Sequence, residues 1–267
     1  VIKYLNGAEL AGYIKERHAR QARELNKLGK KLKLAIIQVK DDPVIDTYVR
    51  LKKQYGADIG IDVDIYKPTQ NEVIKLINRL NNDKSVTAMI VQLPLPDPDE
   101  TEEIVKHIDP RKDVDALGAK SLHEAATPMA ILWLLAGYNV QLKGKYVVLI
   151  GRGKLVGAPL EKALKKSGID LFVGDKYIPW EDQAKQADVI IAAANAARIL
   201  KSSMVKPGAV VVDAGTANEE GKTVGNADDD LYERDDITIS PRKGGVGPLT
   251  VCALFENVIR AAQARLD

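Results

Sequence analysis

Tyr48 and Lys52 stand four residues apart, so on a helix a phenol ring and an amine project from one face. A surface lysine packed along a tyrosine is the ordinary reason for such a pair. The amine does acid–base work only where burial or polar neighbours lower its pKa, because a free lysine stays protonated at neutral pH. Gln92 is the one polar residue in the apolar run Ala88 to Leu93. It sits at the carboxyl end of that run, where open α/β sheets place ligands, although a glutamine satisfied by backbone reads the same. Lys112-Asp-Val-Asp115 follows a proline turn, and its two carboxylates are readable either as loop caps or as ligand contacts.

A fourth place is Lys145 to Leu160. The apolar run Tyr146 to Ile150 reads as a buried parallel strand, and the segment from Leu160 to Lys166 has helical spacing. Between them Gly151, Gly153 and Gly157 give G-x-G-x-x-x-G, one residue longer than the usual dinucleotide fingerprint. Strand, glycine turn and helix aim free N–H groups and a helix dipole at a phosphate. A tight βα turn without a ligand has the same pattern.

The elements needed to position these groups follow from the periodicity. The spacing predicts helices over 9–27, 44–55, 71–80, 101–107, from Thr127 to Gly137, from Leu160 and over 250–266. Strands are predicted at 33–39, 62–66, 88–93, 146–150, 169–173, 189–193, 209–213 and 237–240. Strand and helix alternate twice over, which indicates an α/β fold of two parallel-sheet domains. Residues 1–118 with 249–267 are expected to form the first, with the C-terminal helix returning to it, and 119–248 a second, Rossmann-like domain.

The bulk composition narrows the classes. A net charge of +2 over 267 residues gives no case for bulk nucleic-acid binding. Cys252 is the only cysteine, which excludes an intrachain disulfide framework and a cysteine zinc site and suits buried packing. No apolar run approaches the ~18 residues of a membrane span, and the first residues do not read as a signal peptide, so the expected setting is cytoplasmic. His18, His107 and His123 form no ligand spacing, and no metal is expected.

Taken in order, Tyr48-Val-Arg-Leu-Lys52, Val91-Gln-Leu-Pro-Leu-Pro96, Lys112-Asp-Val-Asp115, Thr127-Pro128, the Gly151 to Pro159 turn and Gly244-Gly-Val-Gly-Pro248 run the length of the chain. That series resembles the bifunctional methylenetetrahydrofolate dehydrogenase/cyclohydrolase family. The resemblance implies a folate-binding catalytic first domain and an NAD(P)-binding second domain. Lys52, Gln92 and Asp115 would be the catalytic set, with Gln92 tuning the lysine and Asp115 accepting hydrogen bonds from the pterin. Tyr48 would stack on the aminobenzoyl group, and Gly244, Gly245, Val246 and Pro248 would shape the wall between folate and nicotinamide. On the cofactor side the implied positions are Gly151, Arg152, Gly153, Val156, Gly157, Pro159, Asp175, Lys176, Ala194 and Thr216. The implied reactions oxidise 5,10-methylenetetrahydrofolate to the methenyl cation and then hydrolyse it to 10-formyltetrahydrofolate, and the implied assembly is a homodimer.

The chain departs from the family pattern at Ala116, where glycine is usual, and at Gly153, where serine is usual. It also departs at Ala194 to Ala197, at Thr127 to Ala130 and at Arg242-Lys243. The last pair adds two charges expected near the cofactor or the folate tail. Asp175 is placed to favour a ribose hydroxyl, whereas Arg152 and Lys176 favour a 2′-phosphate, so NADP is expected over NAD. Two other readings compete: a cyclohydrolase without dehydrogenase activity, and a non-catalytic nucleotide-binding regulator.

Overall fold

The computed structural model describes residues 3–219 and 222–265. Its chain divides into two compact units, Gly12–Ala126 with Val251–Asp267, called here the first unit, and Val1–Ala11 with Thr127–Thr250, the second. The segment before Gly12 was expected with the first unit. It goes with the second because Leu5 N–H donates to Ile239 O at 3.0 Å and Ile239 N–H to Lys3 O at 2.8 Å.

The chain opens with helix α1 (Gly7–Lys27). Strand β1 (Lys33–Gln38), helix α2 (Pro43–Ile59), strand β2 (Asp62–Tyr66), helix α3 (Val73–Asn82), strand β3 (Ala88–Gln92) and the short helix α4 (Thr101–Val105) follow. The three strands form a parallel sheet in the order β2-β1-β3, in register from Gln38 opposite Gln92 back to Leu34 opposite Ala88. One core face of this unit gathers Ala35, Ile37, Met89 and Val91 with Val73, Ile77 and Leu80 of α3 and Ile104 of α4. Burying these side chains is the main favourable contribution to its folding.

After α4 the chain continues with α5 (Ala126–Gly137), β4 (Tyr146–Ile150), α6 (Gly157–Lys166), β5 (Asp170–Gly174), α7 (Glu181–Ala184), β6 (Val189–Ala192) and β7 (Val210–Asp213). The chain ends with β8 (Ala217–Glu219), β9 (Lys222–Val224), α8 (Asp229–Tyr232), β10 (Thr238–Ile239) and α9 (Val246–Gln263). Five strands make a parallel sheet in the order β10-β7-β6-β4-β5, and β8 and β9 pair separately as an antiparallel ribbon. The predicted strands are all present, with ends moved by a residue or two. The ribbon, α7 and α8 were not predicted, since three or four mostly polar residues carry no readable period.

Three helix ends moved further. Helix α2 runs through Gly56 to Ile59, beyond the predicted 55, before the left-handed Gly60 stops it. Helix α6 starts at Gly157, before the predicted Leu160, and α9 starts at Val246, before the predicted Thr250. A proline in a first helical turn loses no hydrogen bond, because that N–H has no intrahelical acceptor. The glycine–proline sequence therefore belongs to the helix start. The predicted end of α9 at Leu266 lies outside the described residues.

Helix α1, written in charges, buries His18 completely. The ring lies 2.9 Å from Tyr55 Oη through Nδ1 and 2.9 Å from Glu256 Oε2 through Nε2. The same carboxylate accepts from Arg17 at 2.6 Å. Tyr55 Oη also donates to Cys252 Sγ at 3.3 Å, so the lone cysteine is packed in the interior, as expected. Among the described residues no helix is long and apolar enough to cross a membrane.

The hydrogen bond from His18, helped by the Arg17 charge, holds the Glu256 carboxyl down at about 2. A carboxyl whose folded pKa lies below its unfolded value contributes stability above the unfolded value and loses it as pH falls through the folded one. Glu256 should therefore contribute about 3 kcal/mol at neutral pH, lost as pH falls from 4.5 toward about 2. Urea unfolding of Glu256→Gln should show that loss at pH 7 and a flatter acid limb. An unchanged acid limb would contradict the assignment.

Candidate active site

Helix α2 carries Tyr48 and Lys52, and three polar contacts fix where it starts. Asp42 caps it, its Oδ1 accepting from Val44 N–H at 2.9 Å and Ile45 N–H at 3.3 Å, and Pro43 occupies the first turn. Gln38, buried at the end of β1, donates to Asp46 Oδ1 at 2.7 Å and to Lys40 O at 3.1 Å. Gln38 was missed in the sequence, although it gives the same signal as Gln92, a polar residue closing an apolar strand. Gly56 sits mid-helix because a Cβ there would lie 2.4 Å from Val63 Cγ2 and 2.8 Å from Ile61 O.

With α2 placed, the Lys52 amine reaches Gln92, donating to its Oε1 at 2.5 Å. The amide is oriented by its other end, where Gln92 Nε2 donates to Leu93 O at 3.0 Å. Burial pushes the Lys52 pKa down, and the charge of Asp115 pulls partly the other way. Asp115 responds reciprocally: burial pushes its carboxyl up and Lys52 pulls it back. Tyr48, one turn earlier, is 42% exposed, so its ring is available to a ligand. The structure thus brings together Lys52, Gln92 and Asp115.

The Lys112-Asp-Val-Asp115 loop divides its labour. Lys112 is buried, and its Nζ donates to Leu80 O, Asn81 O and Asp83 O at 2.7, 2.9 and 2.8 Å, closing the carboxyl end of α3. Asp113 is the loop cap, accepting from Gly118 N–H at 2.8 Å. The loop lies along β3 through Met89 N–H, which donates to Lys112 O at 2.8 Å. Asp115 makes no hydrogen bond or ion pair of its own among the described residues, which leaves a half-buried carboxylate for a ligand. Ala116 takes φ 56°, the left-handed conformation for which glycine is usual.

In the second unit β4 lies between β6 and β5, so the chain leaves it toward both sides and opens a crevice at its carboxyl end. Gly151 has φ 106°, and a Cβ on it would lie 2.5 Å from Ala193 O. A Cβ on Gly157 would lie 2.1 Å from Gly151 O. Both glycines are thus required by the turn itself, whereas a Cβ on Gly153 would meet nothing within 4 Å. Val156 and Pro159 are half-buried at the start of α6, where Ala158 N–H donates back to Gly153 O at 3.0 Å. A backbone that closes this tightly before a helix N-terminus, with open space over Gly153, fits a dinucleotide pyrophosphate.

The flanking positions are less uniform. Arg152 Nε pairs with Glu161 Oε2 at 3.3 Å, and Glu161 also holds Lys165 at 2.6 Å. Asp175 Oδ1 accepts from Tyr177 N–H at 2.8 Å and Ile178 N–H at 3.0 Å, shaping the turn after β5. Lys176 lies over the Tyr177 ring, 4.8 Å from its centroid. Ala194, after β6, is gripped by the fully buried Asn226, which accepts from its N–H at 2.9 Å and donates to its carbonyl at 2.9 Å. Asp213 at the end of β7 accepts from Gly215, Asn226 and Ala227 N–H groups, each at 2.9 Å, and sets the course toward the exposed Thr216. Asn226 and Asp213 were missed, having no motif around them.

Gly244, at φ 79°, accepts from Ala8 N–H at 2.9 Å, and Gly7 approaches so closely that its Cβ would lie 1.8 Å from Gly245 O. Gly245 and Val246 are buried and Pro248 is half-buried. Arg242, expected near the cofactor or the folate tail, is paired with Asp229 of α8 and lies 4.2 Å from the centroid of the Tyr232 ring.

Comparison with known proteins identifies the family. The family model described as tetrahydrofolate dehydrogenase/cyclohydrolase, catalytic domain, matches residues 5–115, and the one for the NAD(P)-binding domain matches 125–266. The bifunctional protein FolD of Campylobacter jejuni is 37% identical, across 98% of this chain and 99% of its own length. The crystal structure of the Campylobacter jejuni bifunctional enzyme FolD matches with a TM-score of 0.92 at 36% identity, covering 99% of this chain and 100% of that one. The Trypanosoma brucei methylenetetrahydrofolate dehydrogenase–cyclohydrolase, complexed with NADP and inhibitor, matches with a TM-score of 0.92 at 26% identity, covering 99% and 98%.

Two substitutions separate turn geometry from ligand contact. Gly157→Ala should lower the melting temperature, since its Cβ has no space, whereas Gly153→Ala should leave melting unchanged and weaken only dinucleotide binding. Equal melting losses would contradict the distinction. Ala116→Gly should stabilise the chain by about 1 kcal/mol in urea unfolding, by relieving the left-handed alanine.

Proposed function

The chain belongs to the tetrahydrofolate dehydrogenase/cyclohydrolase family, and on that footing we propose how its residues carry the two activities. It oxidises 5,10-methylenetetrahydrofolate with NADP and hydrolyses the methenyl product to 10-formyltetrahydrofolate. The observation that carries this reading is the half-buried Lys52 amine on Gln92 Oε1. A regulator that only bound a nucleotide would have no use for it.

For the first reaction, the residues that would hold NADP are the Gly151 to Gly157 turn and the start of α6, with Arg152, Asp175, Lys176, Ala194 and Thr216 around the adenosine side. NADP supplies the acceptor for the hydride that leaves the methylene carbon. The protein's own contribution is positioning more than proton transfer. Asp115 would accept hydrogen bonds from the pterin, which favour its ionised form against the burial that opposes it. Tyr48 would stack on the aminobenzoyl ring. Gly244, Gly245, Val246 and Pro248 would contribute backbone and a small apolar surface to the ligand wall.

The second reaction needs one group that takes a proton and then returns it. Water adds to the methenyl carbon, and Lys52, kept from its ordinary protonation by burial, accepts a proton from that water. The ammonium so formed gives a proton to N5 as the N5–carbon bond breaks. The added hydroxyl releases its remaining proton to solvent as its C=O forms, leaving the formyl group on N10. Gln92 holds the amine at one place throughout, and its oxygen accepts from either protonation state. We assign residues 12–126 with the end of α9 to folate and the second unit to the dinucleotide. The same family reading supports a homodimer and a cytoplasmic setting, with the formyl group feeding syntheses such as that of purines.

Lys52→Ala should reduce methenyl hydrolysis by about 10²–10⁴-fold; a wild-type rate would end the proposal for the lysine. Hydrolysis should rise with pH as Lys52 loses its proton, along a limb below the ordinary lysine value. Asp115→Asn removes the charge that raises the Lys52 pKa, so that limb should move to lower pH while KM for folate increases. A limb that moved upward would contradict the assigned pairing.

A further inference from the structure

The opposite ends of the first unit's strands carry a second concentration of charge. A cavity of about 520 Å³ opens there, and among the described residues its wall includes Lys30, Lys31, Lys33, Lys84, Arg265 and a single carboxylate, Asp62. Lys33 and Asp62 are the first residues of β1 and β2, and Thr87 of the same wall immediately precedes β3. Gln92, with Lys52 bonded to it, closes β3 at its other end. Strands of this length span about 17–20 Å, so the cavity is separate from the folate site.

Cations at this edge have an ordinary explanation, because helices in a parallel α/β sheet end here with their carbonyls unpaired. Much of that demand is already met by other groups. Lys112 closes the end of α3, and Arg265 donates to Val86 O at 2.9 Å and Thr87 O at 3.0 Å. Lys33 pairs with Asp64 at 3.1 Å. Lys30, Lys31 and Lys84 have no ion pair or side-chain hydrogen bond among the described residues. Setting the five lining cations and Lys112 against Asp62, Asp64, Asp83 and about half a negative charge at each end of α1, α3 and α9 leaves roughly one and a half positive charges. That is most of the +2 carried by the whole chain.

The rest of the wall limits what could neutralise the surplus. Among the described residues no aromatic side chain lines it to stack a base, and Ala262 is its one apolar side chain. Thr87 Oγ1 accepts from Lys33 N–H at 3.0 Å, which leaves its own hydrogen to donate. Lysines meet phosphate as mobile point charges, and a volume in the range of small-molecule sites exceeds what one phosphate fills. We propose that this cavity binds a compact oligophosphate, held by Lys30, Lys31, Lys84 and Arg265.

The test is calorimetric titration of the full chain with inorganic tripolyphosphate, in saturating NADP so that the glycine turn is already filled. One site per chain is expected, weakening steeply as salt is raised. Lys31→Glu with Lys84→Glu should weaken it at least about tenfold, while methenyl hydrolysis, whose residues lie at the other strand ends, stays unchanged. The neutral pair Lys31→Gln with Lys84→Gln should fall between, which guards against a folding defect in the reversed pair. No saturable heat with the wild-type chain, or equal affinity in the charge-reversed chain, would overturn the proposal.

Discussion

A lysine that must be both base and acid has to be held out of water without losing its partner. The Lys52–Gln92 contact at 2.5 Å meets that condition. It depends on α2 and the last residue of β3 keeping their relative position, since a 1 Å shift would break the hydrogen bond. Asp42 and the Gln38–Asp46 bond stop α2 from sliding, and Gln92 is fixed at its far side by Leu93 O. Asp115 adds the electrostatic balance. Burial alone would leave the amine neutral and unable to return a proton, and the nearby carboxylate moderates that effect. Lys112 and Asp113 hold the loop so that Asp115 need not serve the fold.

The second unit solves its problem with backbone instead of side chains. Gly151 and Gly157 are fixed by contacts with Ala193 and with each other, before any ligand is considered. This explains why a glycine pattern alone could not decide between a nucleotide site and a plain tight turn: two of its three glycines are needed in either case. Gly153 is the exception, because the fold does not demand it. The loops after β6 and β7 are set by Asn226 and Asp213, whose side chains substitute for the strand pairing that ends there. A buried amide that grips one residue's N–H and carbonyl together defines the loop more tightly than either bond alone.

Most of the fold was legible because period and length agreed. The apolar runs of β1, β3, β4 and β6 are buried on both faces, and the caps and prolines mark the helix starts. What escaped was polar and long-range. His18 reads as one more charge on an amphipathic helix until Glu256, distant in sequence, is seen beside it. Asn226 reaches back to Ala194, and Gln38 forward to Asp46, and no local pattern announces either contact. At the site, spacing placed Tyr48 with Lys52 on one face. That Gln92 meets the lysine, and that Asp113 caps while Asp115 does not, follows only from the folded arrangement. Arg242 was legible as a departure, but its destination on Asp229 and Tyr232 was not.

The polarity of the parallel sheet connects these observations. Every strand of the first unit ends on the same edge, so amide and carboxylate side chains gather there with the helix N-termini to receive a ligand. The opposite edge collects helix carbonyl ends, and the chain answers with lysines and arginines. Lys112 shows how this works at one helix end, closing three carbonyls with a single buried amine. A net charge of +2 conceals the asymmetry, because it does not show where along the surface the excess lies. Cations beyond what the carbonyls can absorb therefore need a different partner, which gives the lysine-lined cavity the character of a site rather than of a helix end.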